Sequence, residues 1–474
     1  MAYTYENLRE KYPQFIYEDF QTKIDNEQVK VEFHFKVPGL AEFKPTLSFP
    51  LDNLEIVNKP LSDFGKNLIF SIGLVELISY WKIACPPEVI IKAGSLDAEQ
   101  IAWWKKLYFN GLGEFFYKNK INPDPENFMH IKTTGPDLNT YSDEFKTKGI
   151  NLIPIGGGKD SVVTIEHLKP LKADNVIFSL NPTEAAKDCT RVSNYPEEKR
   201  FVVGRTLDPE MLRLNSEGYL NGHTPFSALL AFVSYYVAYL IGANYIVLSN
   251  EASANAATVP GTKINHQYSK TSEFERAFQA YSKEYFSENI FYFSLLRPFA
   301  EIAIARSFSQ YEQYFPYFKS CNVGSKQNIW CCNCSKCMFV YAVLAPFLDE
   351  STLVKIFGRN LWENPNLLND WKMLLGAVKR KPFECVGTIE EVQFAAYLVI
   401  NKKLENACVS DLPLLLKEVV KSAKKDELSE LKWSKDKERL VSLAKENPLA
   451  VWHEDENLPE KFKDYVKDIV SEAK

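Results

Sequence analysis

An apolar run that ends in three glycines constrains the fold of this chain more than any other stretch. Residues 151–155 have the length and composition of a buried strand, and Gly156, Gly157 and Gly158 follow directly. A charged pair and a serine come next, and an apolar pattern of helical spacing begins at Val162. Glycines let a backbone approach a ligand closely, and the N–H groups at a helix N-terminus bind anions. The stretch therefore predicts a strand, a turn and a helix that together bind a phosphate group.

The spacing of the loop distinguishes between the known phosphate-binding turns. A Walker A loop needs glycine at position 153 and Ser or Thr at position 160, where this chain has Ile153 and Asp160. A dinucleotide-binding turn needs glycine at position 161, which is Ser161 here. Both templates fail. An ordinary glycine-rich turn between a strand and a helix stays open as an alternative.

The remaining pattern, Gly-Gly-X-Asp-Ser after a strand, resembles the pyrophosphatase loop (PP-loop) of the N-type ATP pyrophosphatases. These enzymes cleave ATP between its α and β phosphates and transfer AMP to a substrate oxygen. Serine is usual at the position of Gly156, so one hydroxyl contact to pyrophosphate must come from elsewhere. The resemblance implies roles for the other loop residues: pyrophosphate binding by Gly157, Gly158 and Ser161, magnesium binding by Asp160, and neutralisation of phosphate charge by Lys159.

Length and charge narrow the class of protein. A chain of 474 residues exceeds the size of a single hydrophobic core, so two or three domains are expected. We predict an α+β region over 1–140, a nucleotide-binding domain over 148–345, and a mainly helical region over 346–474. The net charge of −5 implies no basic face, which disfavours a nucleic-acid partner. No secretory signal is visible, and a soluble, cytoplasmic protein without a membrane partner is expected.

Strand and helix patterns alternate through the central region. Strands are predicted over 152–155, 176–180, 200–203 and 245–248, with a helix after each of the first three and another before the last. The uncharged stretch between His223 and Glu251 is interrupted by glycine and asparagine, which favours a buried helix and a central strand over a membrane span. This alternation predicts an α/β fold with a parallel central sheet. The four strand ends, at 156–161, 179–181, 204–205 and 249–251, should converge on one crevice, which places Ser179 and Asn250 beside the nucleotide.

The first region shows a different pattern. Residues 31–37 alternate cleanly and 43–49 loosely, which predicts a β-hairpin-like start. An apolar segment over 68–83 predicts a buried helix, and 98–107 and 113–119 predict shorter helices. Residues 122–143, rich in proline, asparagine and aspartate, are the best candidate for a linker.

Polar residues are dense in the segment that follows the strand over 245–248. Such groups are costly to bury unless a ligand or solvent satisfies them, so a site is favoured here over an ordinary loop. The expected site residues include Glu251, Asn265, His266, Tyr268 and Lys270. Further on, Arg297 precedes a proline in a segment that resembles the same superfamily, and it is either a phosphate-binding residue or part of a structural ion pair.

Five of the nine cysteines lie between positions 321 and 337. Cys331, Cys334 and Cys337 follow a C-x2-C-x2-C pattern, and Cys321 is a plausible fourth ligand upstream. Four thiolates suit a tetrahedral, structural Zn²⁺ site. The pattern is similar to the zinc site of queuosine-type PP-loop synthases, in which glycine usually stands at the position of Cys332. An iron–sulfur cluster and reduced thiols without metal remain alternatives.

Taken together, these segments and residues 381–387 resemble the UDP-N-acetyl-α-D-muramoyl-L-alanyl-L-glutamate epimerases of bacterial peptidoglycan synthesis. The resemblance runs from about residue 30 to 400. It implies that ATP and Mg²⁺ drive inversion of the terminal L-Glu of UDP-N-acetylmuramoyl-L-Ala-L-Glu, with release of AMP and pyrophosphate. Adenylation removes the carboxylate charge that otherwise opposes loss of the α-proton.

The resemblance also implies a set of site residues. Magnesium would be held by Asp160 and Glu251, and the substrate by Asn265, Tyr268, Lys381, Glu384 and Cys385. Two acid/base groups are required, and the candidates are Glu251, His266, Lys270 and Cys385, which the sequence does not rank. Our hypothesis is that His266 is one of the pair. Two other functions remain open. One is another PP-loop adenylating enzyme, forming an amide or nitrile or thiolating a small molecule or tRNA, and the other is a nucleotide sensor without turnover.

Overall fold

The structure of the chain is a computed structural model. It describes the following residues: 3–25, 27–51, 62–139, 145–258, 265, 268–378, 381–405, 408–422, 447–453 and 457–470.

The described residues form eleven strands and sixteen α-helices. The strands are β1 (Gln14–Ile24), β2 (Gln28–Val37), β3 (Ala41–Phe43), β4 (Thr46–Pro50), β5 (Glu88–Ile91), β6 (His130–Thr133), β7 (Ile150–Pro154), β8 (Asn175–Leu180), β9 (Arg200–Thr206), β10 (Ala243–Leu248) and β11 (Phe291–Ser294). The helices are α1 (Tyr5–Lys11), α2 (Asp63–Trp81), α3 (Ala98–Gly111), α4 (Gly113–Lys118), α5 (Lys159–His167), α6 (Glu184–Val192), α7 (Pro209–Ser216), α8 (Phe226–Ile241), α9 (Ser272–Tyr285), α10 (Glu301–Phe308), α11 (Ser335–Leu344), α12 (Glu350–Phe357), α13 (Leu368–Leu374), α14 (Ile389–Leu404), α15 (Leu414–Ser422) and α16 (Glu460–Val466).

The central part of the sheet is parallel, in the order β11-β10-β7-β8-β9. Side chains alternate between its two faces: Leu152 joins the core that contains α2 and α8, and Ile153 joins the core that contains α5 and α10. Because helices cover both faces, these strands are apolar runs rather than alternating patterns. The predicted α/β fold and the four central strands are confirmed.

The first region continues the same sheet, with antiparallel pairs from β9 to β1 and parallel pairs from β1 to β6. Strand β4 pairs with β9, with Leu47 opposite Arg205, and the order continues as β4-β2-β1-β5-β6, while β3 pairs with β2. This pairing gives β9 a second neighbour, so its backbone does not form an exposed edge. The predicted hairpin-like start and the buried helix α2 are confirmed. The expected linker over 122–143 is corrected, because it contains β6, which pairs with β5 and whose side chains are largely exposed.

The stretch between His223 and Glu251 forms helix α8 and strand β10, as predicted. No helix within the described ranges is both long and apolar enough to cross a membrane. From residue 350 onward, the described elements are all helical, and α14 packs against α11 and α10. Helix α14 therefore links the C-terminal region to the elements beside the glycine loop.

Candidate functional site

A cavity of about 440 Å³ lies at the carboxyl ends of the parallel strands. Three of the four strand ends predicted to converge do line it, through Gly156, Ser179 and Asn250 among others. The fourth does not, and this expectation is corrected. The guanidinium of Arg205 instead donates to buried Glu76 of α2 at 2.8 Å, because β9 is joined there to β4 of the first region.

The glycine loop forms one wall of the cavity. Gly157 has φ +83°, and a Cβ on this residue would lie 2.4 Å from the backbone nitrogen of Ala186, so only glycine fits without a shift. A Cβ on Gly156 would meet nothing within 4 Å. Helix α5 starts at Lys159 without a side-chain cap from Gly158, so its first N–H groups face the loop. This arrangement suits an anion.

Lys159 does not line the cavity. Its ammonium is 2% exposed and contacts the carboxylates of Asp160 and Glu301. Burial by itself lowers the pKa of Lys159, but the two carboxylates together have a larger effect in the opposite direction. The pKa of Lys159 therefore lies above its ordinary value. Burial raises the pKa of Glu301 to about 8, against the opposing effect of Lys159. The lysine therefore neutralises carboxylates beneath the loop.

Asp160 and Ser161, in contrast, line the cavity, and the Ser161 hydroxyl donates to the Gly158 carbonyl at 3.0 Å. Two further hydroxyl groups lie in the same cavity: that of Ser249, in the strand end predicted over 249–251, and that of Ser320, which the sequence did not single out. Ser249 Oγ and Ser320 Oγ are buried there without a hydrogen-bond partner among the described residues. Buried polar atoms are normally satisfied, so both hydroxyls are suited to a ligand.

Ser320 lies close to the glycine loop. The Ser320 Cβ lies 3.5 Å from the point where a Cβ on Gly158 would be. The backbone N–H of Lys319 donates to the Gly157 carbonyl at 2.9 Å. The segment before Cys321 is thus fixed against the loop, with the Ser320 hydroxyl in the cavity that Gly156 leaves open.

A second cavity, of about 30 Å³, adjoins the first. Within the described residues, Glu251, Lys270 and Cys385 line both cavities. Lys270 Nζ lies 3.6 Å from Cys385 Sγ. Burial lowers the pKa of Lys270, but Cys385, Glu251 and Asp160 together raise it above its ordinary value. The junction of the cavities therefore carries one ammonium group beside a thiol and a carboxylate.

The small cavity also contains predicted substrate-binding residues. Asn265, Lys381 and Glu384 line it. Lys381 is 8% exposed, and burial lowers the pKa of its ammonium group. Glu384 accepts a hydrogen bond from Asn322 at 2.6 Å, and Asn265 donates to the Ala254 carbonyl at 2.8 Å. A buried cation in a small cavity suits a negatively charged group of a ligand.

Two predicted site residues lie away from the cavities. The guanidinium of Arg297 is 2% exposed and donates to Glu275 at 3.0 Å and to the carbonyls of Glu251 and Lys270 at 2.8 and 2.7 Å. Arg297 therefore forms the structural ion pair that was the alternative to phosphate binding, and it also holds the backbone of two cavity residues. Tyr268 is buried against Phe274 and donates to Glu273 at 3.5 Å. His266 lies outside the described residues.

The predicted cysteine cluster is assembled. The four ligand atoms of Cys321, Cys331, Cys334 and Cys337 lie within 4.8 Å of one another. Three of the Sγ–Sγ distances are 3.9, 3.7 and 3.5 Å. Tetrahedral zinc with Zn–S bonds of about 2.3 Å needs about 3.8 Å between sulfurs. The donor set fits Zn²⁺.

Cys332 does not belong to this group. Its Sγ donates to the Phe357 carbonyl at 3.0 Å, and its φ of +55° lies in the left-handed region that favours glycine. This left-handed conformation agrees with the glycine that usually stands at this position in the zinc sites that the cysteine pattern resembles.

The cluster adjoins the cavity, since Cys321 and Lys336 line it. The ammonium of Lys336, between Cys334 and Cys337 in sequence, contacts the Cys385 carbonyl. Glu301, Lys319, Ser320 and Lys336 were not predicted as site residues. The only sign of them in the sequence was that they lie close to the cysteines or to Arg297. The contacts that bring them to the cavity join residues that are far apart in the chain.

Comparison with known proteins identifies the family. A family model described as the MurL N-terminal domain matches residues 6–295, and one described as the MurL C-terminal domain matches residues 317–430.

Three curated relatives are each named UDP-N-acetyl-alpha-D-muramoyl-L-alanyl-L-glutamate epimerase. The protein of Xanthomonas oryzae pv. oryzae is 36% identical, over 70% of this chain and 74% of its own. Those of Salinispora tropica and a Micromonospora species are each 32% identical, over 76% and 77% of this chain and 79% and 81% of their own. No solved structure matches. The chain therefore belongs to the MurL family and is an isomerase of the epimerase type.

Proposed function

We propose that this enzyme inverts the terminal L-Glu of UDP-N-acetylmuramoyl-L-Ala-L-Glu by ATP-dependent adenylation of its α-carboxylate. The observation that carries the proposal is the glycine loop at a cavity that continues, past Glu251, Lys270 and Cys385, into a small cavity with a buried lysine. The first cavity suits a nucleotide, and the second, of about 30 Å³, suits one carboxylate group of the acidic amino acid. The substrate is the one that the relatives' names state.

We place the pyrophosphate portion of ATP at the glycine loop and propose that the chain is a PP-loop enzyme. The N-terminus of α5 provides N–H donors, and Ser161 and Ser320 provide hydroxyls. Ser320 would replace the hydroxyl that is missing at Gly156. Asp160 and Glu251 are cavity carboxylates, the ligand type that Mg²⁺ prefers, and the ion would neutralise phosphate charge.

Adenylation explains why an epimerase would consume ATP. A free α-carboxylate opposes loss of the neighbouring proton, because two negative charges would then lie on adjacent atoms. Attack of the carboxylate oxygen on the α-phosphorus releases pyrophosphate and leaves a neutral acyl group that accepts carbanion density. After the proton has been removed and returned on the other face, water hydrolyses the acyl adenylate to AMP and the free acid.

The small cavity would select the acidic substrate. We place the γ-carboxylate of the glutamate beside Lys381, whose buried ammonium would gain a partner of opposite charge. Such a reaction supplies D-Glu to peptidoglycan precursors, whose nucleotide-linked stages take place in the cytoplasm, where we place the enzyme.

We further propose that the cysteine cluster holds one structural Zn²⁺. Cys321 directly follows Ser320, and Cys337 directly follows Lys336, so a metal bound to both cysteines would fix two residues of the cavity wall. The division into regions 1–140, 148–345 and 346–474 remains our proposal for the domains.

Deuterium incorporation tests the function. The protein is mixed with ATP, Mg²⁺ and UDP-N-acetylmuramoyl-L-Ala-L-Glu in D2O, the α-carbon is followed by mass spectrometry, and pyrophosphate is assayed in the same samples. Deuterium at the α-carbon together with pyrophosphate release supports the proposal. Pyrophosphate without deuterium would indicate an adenylating ligase that awaits another nucleophile. The absence of both products would contradict the substrate assignment.

A further inference from the structure

Cys385 and Lys270 form a pair at the junction of the two cavities, 3.6 Å apart. We propose that the Cys385 thiolate, stabilised by the Lys270 ammonium, is the base that removes the α-proton of the adenylated glutamate. The assignment rests on the proposed function, because it requires the acyl group to be activated in the larger cavity.

Among the candidates that the structure describes, position favours Cys385 over Glu251 and Lys270. The carbonyl carbon must reach the nucleotide in the larger cavity, and the side-chain carboxylate must reach Lys381 in the smaller one. The α-carbon between them then faces the residues common to both cavities, Glu251, Lys270 and Cys385. Glu251 is assigned to magnesium, and an ammonium group is not a base.

Neighbouring contacts hold the thiol in place. The Lys336 ammonium contacts the Cys385 carbonyl, and Asn322 donates to the adjacent Glu384 carboxylate at 2.6 Å. Both donors belong to the segments that carry the cysteine cluster. A thiol beside a cation is more readily converted to the thiolate, which is the basic form.

The proton transfers balance as follows. The α C–H bond breaks, its electron pair moves towards the acyl carbonyl, and an S–H bond forms on Cys385. A water molecule on the opposite face gives a proton to the carbon and becomes hydroxide. The hydroxide then takes the proton from the thiol, which restores water and the thiolate. The configuration at the carbon is inverted, and the protein is unchanged.

Variants of Cys385 separate the base from the adenylation step. In Cys385→Ser and Cys385→Ala, we expect deuterium incorporation to fall by about 10²–10⁴-fold, the usual contribution of a general base. Pyrophosphate release should continue, because the acyl adenylate still forms and is still hydrolysed. Continued release also shows that the variant is folded. The matched control is Cys408→Ser, which changes an exposed cysteine and should retain both signals.

Lys270 tests the role of charge. Lys270→Met should lower deuterium incorporation, while Lys270→Arg, which keeps a cation near the sulfur, should restore part of it. If arginine restores nothing beyond methionine, stabilisation of the thiolate by charge is refuted.

Three results would overturn the assignment of Cys385. Deuterium incorporation by Cys385→Ser within about threefold of that by the unaltered protein would exclude Cys385 as the general base. Loss of pyrophosphate release together with deuterium incorporation in the Cys385 variants would assign the thiol to adenylation or folding. If the unaltered protein itself releases no pyrophosphate, the proposed function fails, and the assignment fails with it.

Discussion

Replacing Lys159 by methionine tests whether its ammonium neutralises the carboxylates beneath the glycine loop. Lys159 and Glu301 are 2% and 1% exposed, and Asp160 is the other contact of the lysine. Lys159→Met leaves the buried Glu301 carboxylate and the neighbouring Asp160 carboxylate of the cavity wall without their cation. Removing one partner of a buried ion pair costs about 3–5 kcal/mol, and we expect the free energy of unfolding to fall by that amount.

A double-mutant cycle gives the reasoning a stricter test. Glu301→Gln removes one of the two uncompensated charges, so Lys159→Met/Glu301→Gln should be more stable than Lys159→Met alone. Urea unfolding at pH 9, above the Glu301 pKa of about 8 so that this carboxyl is ionised, measures all four proteins. Lys187→Met is the control, because Lys187 pairs with Glu184 on the surface and should cost less than about 1 kcal/mol. Two additive single effects, agreeing within about 0.5 kcal/mol, would refute the proposed coupling.

Three further predictions concern the cavity and the cysteine cluster. Ser320→Ala should raise the KM for ATP in pyrophosphate release by about 10–100-fold, the effect of losing a hydrogen bond to a charged group, while Ser325→Ala, an exposed serine of the same wall, should change it little. Burial raises the pKa of Glu301 from 4.5 to about 8, so the folded protein keeps a proton that the unfolded chain releases in this range. The free energy of unfolding should therefore fall as pH rises from about 4.5 to 8, and Glu301→Gln should remove that part of the dependence in urea unfolding. Elemental analysis should find one zinc per chain; Cys334→Ser should lower this content, and Cys332→Ser, which alters the cysteine directed at Phe357, should not. An unchanged KM in Ser320→Ala, an unchanged pH dependence in Glu301→Gln, or unchanged zinc in Cys334→Ser would contradict the respective prediction.

Local patterns in the sequence were sufficient for the glycine loop and the central strands. Apolar runs marked β7, β8 and β10, because strands covered by helices on both faces carry few polar residues. The spacing of Cys331, Cys334 and Cys337 marked the cysteine cluster, because ligands held by one short turn must be close in sequence. The strand β6 was missed because its side chains are mostly exposed.

Residues that meet only in the folded chain were harder to predict. Lys159 and Glu301 are 142 positions apart, and no local pattern reveals that the lysine is bound to carboxylates beneath the loop. Arg297 was predicted to be either a phosphate-binding residue or part of a structural ion pair, and only its burial against Glu275 shows that it holds backbone carbonyls and does not line the cavity. Ser320 was missed, because a serine before a cysteine has no distinguishing feature until its hydroxyl is found without a partner beside the glycine loop.

Transfer of labelled oxygen tests adenylation most directly. The substrate is prepared with ¹⁸O in the α-carboxylate of its L-Glu, and AMP is analysed by mass spectrometry after turnover in unlabelled water. If the carboxylate attacks the α-phosphorus and water then hydrolyses the acyl carbon, each AMP formed during epimerisation carries one ¹⁸O atom from the substrate. Epimerised product formed without AMP would contradict the acyl adenylate, and epimerised product accompanied by unlabelled AMP would contradict an acyl adenylate that water hydrolyses at its acyl carbon.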